Sequence, residues 1–241
     1  MAGSVFERVE KKYIISSSQY DSLMQTIPEL CVPDIYPESD ICSVYYDTPD
    51  HLLIRRSLDK PVYKEKLRIR SYDVPSGDSP VFVELKKKLL GTVYKRRISL
   101  KYSDAMEFLN SGGKCKENLT QIEKEISYCF DLYRSLQPAM FISYHRKSFV
   151  GINDYGLRIT FDNNVLSRTT ELELAKGIWG DEVLAEGHYI MEIKTLNSMP
   201  FRLAEALDKN RIFPGSFSKY GTAYRRLTEQ TAINKGVKHN V

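Results

Sequence analysis

The chain has 241 residues, of which 42% are hydrophobic and 27% charged, a composition typical of a globular protein with a sizeable core. Its formal net charge of +4 gives weak support for an anionic partner, so the placement of the charges matters more than their sum. No segment approaches the roughly 20 apolar residues that span a bilayer, and the charged N-terminal segment lacks the apolar region of a signal peptide. The four cysteines form no C-x-x-C pair, so we expect reduced thiols and a cytoplasmic protein.

The first half of the chain alternates predicted strands with a short helix. A helix is predicted over residues 16–28, because a serine can cap it, apolar residues recur at helical spacing, and Pro28 can end it. β-branched, aromatic or alternating runs predict strands at residues 6–15, 41–47, 61–72, 80–88 and 92–100. A turn at 75–78 and Gly91 would join the last three strands as hairpins.

The second half adds longer helices and further strands. A helix begins near Ser103 and ends at Gly112, and the helix predicted over 119–134 has a capping box formed by Thr120 and Glu123. Strands are predicted at 138–150, 156–163 and 187–195, and helices begin near residues 200 and 219. We therefore predict an α+β fold with a large antiparallel sheet, forming one domain over residues 1–230, and a flexible tail over 231–241.

Basic residues recur on one face of several predicted strands. With a period of two, the residues that share such faces are Arg8, Glu10 and Lys12; Lys64, Lys66, Arg68 and Arg70; Glu84, Lys86 and Lys88; Lys95 and Arg97; Arg158, Thr160 and Asp162; and Glu192 and Lys194. A solvated sheet face usually mixes polar residue types, whereas repeated Lys and Arg repel one another unless an anion neutralises them. A barrel closed around this face would hold an anion in a basic interior.

The aromatic residues indicate which anion this interior would hold. A groove for single-stranded nucleic acid needs exposed aromatic side chains for base stacking. Here the aromatics fall mostly on the opposite strand face or in apolar clusters such as Val44, Tyr45 and Tyr46. The pattern therefore favours phosphate without bases, and we expect no nucleic-acid partner.

Three carboxylates lie among the basic residues. Glu10, Glu84 and Glu192 share faces with Lys and Arg, so each could simply pair with a neighbouring cation. Alternatively, carboxylates that face one cavity suit Mg²⁺ or Mn²⁺, which take oxygen ligands and keep waters and phosphate oxygens. Both interpretations remain open at this point.

Eight short motifs follow one another in the order found in a known family. These motifs, which span residues 6–221, are FERVEKKY, LRIR, VFVELK, YKRRISL, YHRKSF, LRITFD, MEIK and FSKYG. Together they resemble the VTC domain, the polyphosphate polymerase domain of the vacuolar transporter chaperone complex. The wider resemblance is to the triphosphate tunnel metalloenzymes, which include the CYTH-type triphosphatases. It implies a closed antiparallel eight-stranded β-barrel with surrounding helices, a divalent metal (Mn²⁺ or Mg²⁺), and a triphosphate substrate.

The resemblance also implies roles for individual residues. The positions that match catalytic phosphate-binding residues are Lys12, Arg68, Arg70, Lys86, Arg146, Arg158 and Lys219. The further candidates for substrate binding are Lys66, Lys95, Arg97, Tyr144, Lys194 and Ser218. Glu192 matches the metal-binding glutamate of the family, and Glu10 and Glu84 are additional candidates for metal ligands.

One departure from the tunnel triphosphatases bears on the reaction. Those enzymes often show E-x-E-x-K in the first strand, whereas this chain has Arg8, Glu10 and Lys12 in that register. The missing glutamate removes a ligand for a second metal and for an attacking water. We therefore expect a polymerase that transfers the terminal phosphoryl of ATP to inorganic polyphosphate.

Two alternatives to the polymerase remain. One is a tunnel triphosphatase that hydrolyses inorganic or nucleoside triphosphate, and the other is a non-catalytic polyphosphate-binding module. The chain lacks the SPX domain and the membrane helices that accompany the eukaryotic VTC domain. A membrane-protein partner can therefore not be inferred from the sequence.

Overall fold

The computed structural model describes residues 9–154, 156–196 and 198–237, with only the backbone for the last four. Arg8 and the end of the predicted tail lie outside these ranges. The elements are β1 (Val9–Ser16), α1 (Ser17–Leu23), α2 (Ile27–Leu30), β2 (Cys31–Asp47), α3 (Leu52–Leu58), β3 (Tyr63–Tyr72), β4 (Pro80–Leu89), β5 (Thr92–Lys101), α4 (Tyr102–Asn110), α5 (Gln121–Tyr133), β6 (Gln137–Gly151), β7 (Arg158–Arg168), a 3-10 turn (Leu174–Lys176), β8 (Asp181–Glu182), β9 (His188–Thr195), α6 (Phe201–Lys209) and α7 (Lys219–Val237).

The predicted α+β class with an antiparallel sheet is confirmed. Within the described ranges the sheet has nine strands in the order β1-β9-β7-β6-β2-β3-β4-β5, and the two-residue β8 pairs with β7. The resemblance implied eight strands, and the two-residue β8 is the additional ninth. The order ends at β1 and β5.

The chain divides into two compact units. The first contains the described residues up to Asp40 together with Tyr144–Val165 and Leu184–Ser218, and the second contains Ile41–Ser143, Leu166–Val183 and the residues from Lys219 onward. The single domain over 1–230 stays a prediction. So does the tail over 231–241, into which α7 extends as far as Val237.

The first unit has its own apolar core on one face of its strands. β9 pairs antiparallel with both β1 and β7. Because side chains alternate along a strand, alternate residues in part of each of β1, β7 and β9 point into this core. The strand residues that form it include Tyr13, Ile15, Ile159, Phe161, Met191 and Ile193. The helices contribute Leu23 and Leu203 to this core. Most charged residues of the strands lie on the opposite face.

The second unit repeats this arrangement with different strands. β3 pairs antiparallel with β2 and β4, and β4 pairs with β5. Leu67, Ile69, Val83 and Leu85 are fully buried against residues of α4 and α5 such as Phe108 and Ile126. The predicted capping box of α5 is present, since Thr120 and Glu123 hydrogen-bond reciprocally. Most charged residues of β3 and β4 again occupy the other face, although Glu65 and Lys87, which lie opposite each other, share the face of Leu67 and Leu85.

Three elements differ from the sequence prediction for identifiable reasons. The helix predicted over 16–28 is two helices, because Pro28 lies in the first turn of α2 rather than ending α1. β2 begins ten residues earlier than predicted, and its additional segment contains Pro33 and Pro37, a residue type that is disfavoured inside sheets. α3 was not predicted because its N-cap, His51, gives no side-chain cap, and Asp47 instead accepts the N–H groups of its first turn.

Candidate functional site

In the first unit, β1, β9 and β7 bring acidic and basic residues into two rows. In one row Lys194 lies opposite both Glu10 and Arg158. In the next row Glu192 lies opposite Lys12 and Thr160. Residues directly opposite each other share a sheet face, so the strand period of two converts the sequence alternation into a patch of mixed charge.

Two lysines and two glutamates of these rows form a closed cluster. Lys12 Nζ lies 3.4 Å from Glu10 Oε1 and 3.4 Å from Glu192 Oε2. Lys194 Nζ lies 2.5 Å from Glu192 Oε1 and 3.8 Å from Glu10 Oε2. Burial opposes ionisation of Glu192, but Lys194 and Lys12 outweigh it and hold its pKa at about 2. The same contacts raise the pKa of Lys12 although its burial acts to lower it. Glu192 and Lys12 are therefore charged near neutral pH.

Arg146 is fixed beside this cluster by a residue that the sequence did not assign to the site. Asp162, which is fully buried, accepts hydrogen bonds from Arg146 Nε at 2.6 Å and from Nη2 at 2.8 Å. The guanidinium also lies 5.2 Å from the ring centroid of Tyr144. Burial would lower the pKa of Arg146, but Tyr144 and Asp162 raise it further. Two predicted residues, Tyr144 and Arg146, are thus close together.

The remaining predicted residues of the first unit are less centrally placed. Arg158 lies opposite Lys194 in register, but its half-exposed guanidinium pairs with Asp34 at 2.8 Å. Ser218 is half-buried and directly precedes α7. The roles of both residues in phosphate binding stay predictions.

In the second unit, β2 to β5 form a second group of charges. One row joins Tyr45, Arg68, Glu84 and Arg97 across the four strands, and the next joins Lys66, Lys86 and Lys95. Like charges directly opposite one another on neighbouring strands are destabilising, so the row of three lysines favours an anionic ligand. Arg70 lies in a third row, opposite Ser43 and Phe82.

Glu84 is the centre of this second group. Its carboxylate is 2% exposed and receives Arg68 Nε at 2.7 Å and Arg68 Nη2 at 2.6 Å on Oε2. Lys95 Nζ lies 2.8 Å from Oε1, and Arg70 Nε lies 3.9 Å from Oε2. Burial acts to raise the pKa of Glu84, but Arg68 and Arg70 hold it at about 2. Cations therefore contact both oxygens, as the simpler interpretation of the sequence expected.

Aromatic residues support the cations of the second unit. Arg97 lies 4.2 Å from the ring centroid of Phe82, and Lys66 lies 5.9 Å from that of Tyr220. Lys219, the first residue of α7, is half-buried. Tyr45 was assigned to an apolar cluster, but its hydroxyl accepts a hydrogen bond from Arg68 Nη1 at 2.9 Å. That assignment was wrong because cross-strand register, rather than the local run of residues, sets the neighbours of Tyr45.

The residues of the first unit fit a hard divalent cation. Glu10 and Glu192 supply oxygen donors, and the buried Thr160 hydroxyl, which lacks a hydrogen-bond partner within the described ranges, lies opposite Glu192. No group of three His, Cys, Asp or Glu residues with metal-site geometry occurs in the described part of the chain. Mg²⁺ often binds through one or two carboxylates plus substrate phosphates and waters, so this donor set is sufficient. The assignment of Glu10, Glu84 and Glu192 as metal ligands stays a prediction.

Comparison with solved structures identifies the fold class. A candidate adenylate cyclase from Bacillus halodurans superposes with a TM-score of 0.52 at 15% identity, covering 88% of this chain and 93% of that one. A candidate adenylyl cyclase from Hippeastrum, whose structure is described as revealing a dominant triphosphatase activity, gives 0.52 at 16% identity, with coverage of 89% and 93%. At these identities the likeness establishes the fold alone, which this chain shares with both proteins.

Comparison of the sequence identifies the family within that class. The family model of the VTC domain matches residues 7–228, and the chain belongs to this family. No curated protein matches the chain. Within the described ranges, no helix has the length and apolar character required to cross a membrane.

Proposed function

We propose that the protein is a metal-dependent polyphosphate polymerase that transfers the terminal phosphoryl group of ATP to a growing polyphosphate chain. The observation that carries the proposal is that lysine or arginine contacts every glutamate of the two clusters. Such clusters can bind and orient phosphates, but Glu84 and Glu192, whose pKa values lie at about 2, are not poised to accept a proton near neutral pH. Membership of the VTC family supports the same reaction.

The cations of each cluster, taken by itself, would bind phosphate oxygens. Arg68 and Arg70 in the second unit and Arg146 in the first are oriented by hydrogen bonds or ion pairs before any ligand arrives. Arginine keeps its charge when it is buried and presents a planar fork that matches phosphate. Positioning and neutralisation of charge account for most of the catalysis of phosphoryl transfer.

A divalent cation held by Glu192 and Glu10 would supply Lewis-acid stabilisation of the charge on bridging phosphate oxygens. The low pKa of Glu192 keeps this carboxylate ionised and available to a metal throughout the physiological range. Lys12 and Lys194, which contact both glutamates, would turn toward phosphate oxygens when a cation takes the carboxylates.

The nature of the acceptor explains why no general base is required. The end of a polyphosphate chain is already ionised near neutral pH, so its attack on the terminal phosphoryl of ATP needs no proton removal. The obstacle is repulsion between two anions, which rows of lysine and arginine relieve. Water is a weaker nucleophile and needs activation, which a hydrolase would have to provide.

Triphosphate hydrolysis is the second candidate function. It is favoured by the retention of Glu10 next to Glu192 and by the fold shared with the Hippeastrum protein, whose structure is described as revealing triphosphatase activity. The replacement of the first glutamate of the E-x-E-x-K motif by Arg8 argues against it. Polyphosphate binding without catalysis is the third possibility, and the carboxylates suited to a metal argue against that one.

A gel that resolves polyphosphate distinguishes the three functions. The purified protein is incubated with ATP and Mn²⁺ or Mg²⁺, alongside Glu192→Ala, Arg68→Ala and the surface control Lys101→Ala. A ladder of long products from wild type and the control, absent from the two site variants, is the expected result. Free phosphate without a ladder would indicate the triphosphatase. Tight polyphosphate binding without either product would indicate the binding module.

A further inference from the structure

Tyr45 holds one side of the Arg68 guanidinium. Tyr45 is 8% exposed and lies opposite Arg68 in the β2–β3 register. Its oxygen accepts a hydrogen bond from Arg68 Nη1 at 2.9 Å, while Arg68 Nε and Nη2 contact Glu84. The guanidinium is therefore fixed between a carboxylate and a phenol, and the phenol oxygen lies directly beside a cation proposed to bind phosphate.

The Tyr45 ring cannot easily turn away from this position. It stacks on Tyr220 with centroids 4.5 Å apart and planes inclined by 24°. The Tyr220 hydroxyl donates to Asp47 Oδ2 at 2.8 Å. The same carboxylate accepts the backbone N–H groups of Leu53 and Ile54 in α3. A helix start and a second tyrosine thus hold the phenol in place.

The phenolic hydrogen of Tyr45 has no acceptor within the described ranges, because the one hydrogen bond of this hydroxyl is the bond it accepts from Arg68. A buried donor without an acceptor is costly, which favours an acceptor supplied by a ligand. The charged groups around the phenol are Arg68, Lys66 and Arg70, so an anionic oxygen is the acceptor that fits.

We propose that Tyr45 is a further phosphate-binding residue, which donates its phenolic hydrogen to a phosphate oxygen held by Arg68 and does so only as the neutral phenol. The proposal rests on the proposed function because it requires a linear phosphate to bind at the cluster around Arg68. It goes beyond that function by adding a neutral donor to a cationic site and by making phosphate binding sensitive to alkaline pH.

The electrostatic surroundings of Tyr45 define this pH range. Burial acts to raise the pKa of Tyr45, but Arg68, Lys66 and Arg70 lower it to about 8. Tyr220 of α7 stacks on the Tyr45 ring. The carboxylate of Glu84 contacts Arg68, which in turn contacts the Tyr45 hydroxyl. Above this pH the phenol loses the hydrogen that it would donate and gains a charge that repels phosphate. A bound phosphate must in turn favour the neutral form and raise the pKa of Tyr45.

Two measurements with inorganic tripolyphosphate test the proposal. Calorimetric affinities are determined from mildly acidic to alkaline pH for wild type, Tyr45→Phe and the exposed control Tyr36→Phe. Near neutral pH, Tyr45→Phe is expected to bind about 5-fold more weakly, the equivalent of one hydrogen bond of about 1 kcal/mol. Wild type and the control should lose additional affinity above pH 8, and Tyr45→Phe should not.

The ultraviolet absorbance of tyrosinate gives a readout that is independent of this variant. Wild type should show a tyrosine titration near pH 8 that tripolyphosphate shifts upward and that Tyr45→Phe lacks. Equal affinities for Tyr45→Phe and wild type across the pH range, or an unshifted titration in wild type that binds tripolyphosphate, would overturn the proposal. A wild type that makes polyphosphate while either result holds would overturn the role of Tyr45 alone. Failure of wild type to bind tripolyphosphate would contradict the proposed function as well.

Discussion

Arg146 of β6 and Asp162 of β7 form a bidentate ion pair, with Nε 2.6 Å from Oδ1 and Nη2 2.8 Å from Oδ2. Asp162 is 1% exposed, and this arginine contacts both of its carboxylate oxygens. The pair orients a guanidinium that the resemblance assigns to phosphate binding. The geometry of Arg146 is therefore set before any ligand binds.

Replacing Asp162 by Asn should weaken both the fold and the site. The amide keeps the shape of the side chain but removes the carboxylate charge that binds the guanidinium, and breaking a buried pair in this way typically costs about 3 kcal/mol. We expect this loss in the free energy of unfolding in urea, together with weaker binding of tripolyphosphate. Asp208→Asn, on the exposed surface of α6, is the matched control. Unchanged stability of Asp162→Asn would contradict the role given to the pair.

Glu192 should make the stability of the protein depend on pH in the acid range. Folding lowers the pKa of this carboxyl from 4.5 to about 2, against the effect of burial, because Lys194 and Lys12 stabilise its charge. Its contribution is therefore complete above pH 4.5 and is lost as the pH falls toward 2. Glu192→Gln should lower the melting temperature at neutral pH and flatten its decline in acid. The exposed control Glu186→Gln should follow wild type, and a Glu192→Gln profile parallel to wild type would refute the linkage.

The row formed by Lys66, Lys86 and Lys95 should make anion binding sensitive to ionic strength. Lys86 lies opposite both other lysines. Removing one of three cations with Lys86→Gln should weaken tripolyphosphate binding about 5-fold at low salt, corresponding to roughly 1 kcal/mol. Salt screens such interactions, so the deficit should shrink at high ionic strength. Lys101→Gln serves as the surface control, and a deficit that is independent of salt would argue against an electrostatic role.

Arg168 should be the main support of the segment that follows β7. Its guanidinium carbon lies 3.5 Å from the Phe141 ring centroid and 4.5 Å from that of Trp179. The backbone carbonyls that accept its hydrogen bonds belong to Glu171, Glu173, Gly177 and Trp179. Lysine lacks this planar fork, so Arg168→Lys should cost about 3 kcal/mol. Fluorescence of Trp179, the single tryptophan of the chain, should report release of the segment. The exposed Arg202→Lys should leave the signal unchanged.

Alanine substitutions at two glycines distinguish the cost of a left-handed backbone from the cost of a steric clash. Gly91 and Gly113 have φ values of +89° and +81°, and a Cβ at Gly91 would meet nothing within 4 Å. At Gly113 it would lie 2.9 Å from the Ser127 Cα in α5. The left-handed backbone should cost both alanine variants roughly 1 kcal/mol of unfolding free energy. Gly113→Ala should lose about 1–3 kcal/mol more through overpacking. Equal unfolding free energies for the two variants would contradict the predicted clash, because α5 would then move away from the added Cβ without loss of stability.

Much of the fold followed from local pattern. Alternation placed Leu67 and Ile69 in the core and Arg68 and Arg70 on the opposite face, because side chains of a strand alternate with a period of two. The capping box at Thr120 likewise predicted the start of α5. β2 and α3 were misjudged where local signals were weak or opposed: two prolines lie in an exposed half of β2, and the residue that caps α3 lies four residues before its N-cap.

The sequence by itself determined the chemistry of the strand faces, the α+β class and the family, because periodicity and ordered motifs are local properties of the chain. Only the tertiary structure decided which charges meet. Glu84 binds Arg68, Asp162 binds Arg146, and Tyr45 contacts Arg68. These partners lie 16 to 23 residues apart along the chain, so register and long-range pairing bring them together. The register of the strands depends on the free energies of burial and pairing summed over the whole sheet. It can therefore not be predicted from any single segment.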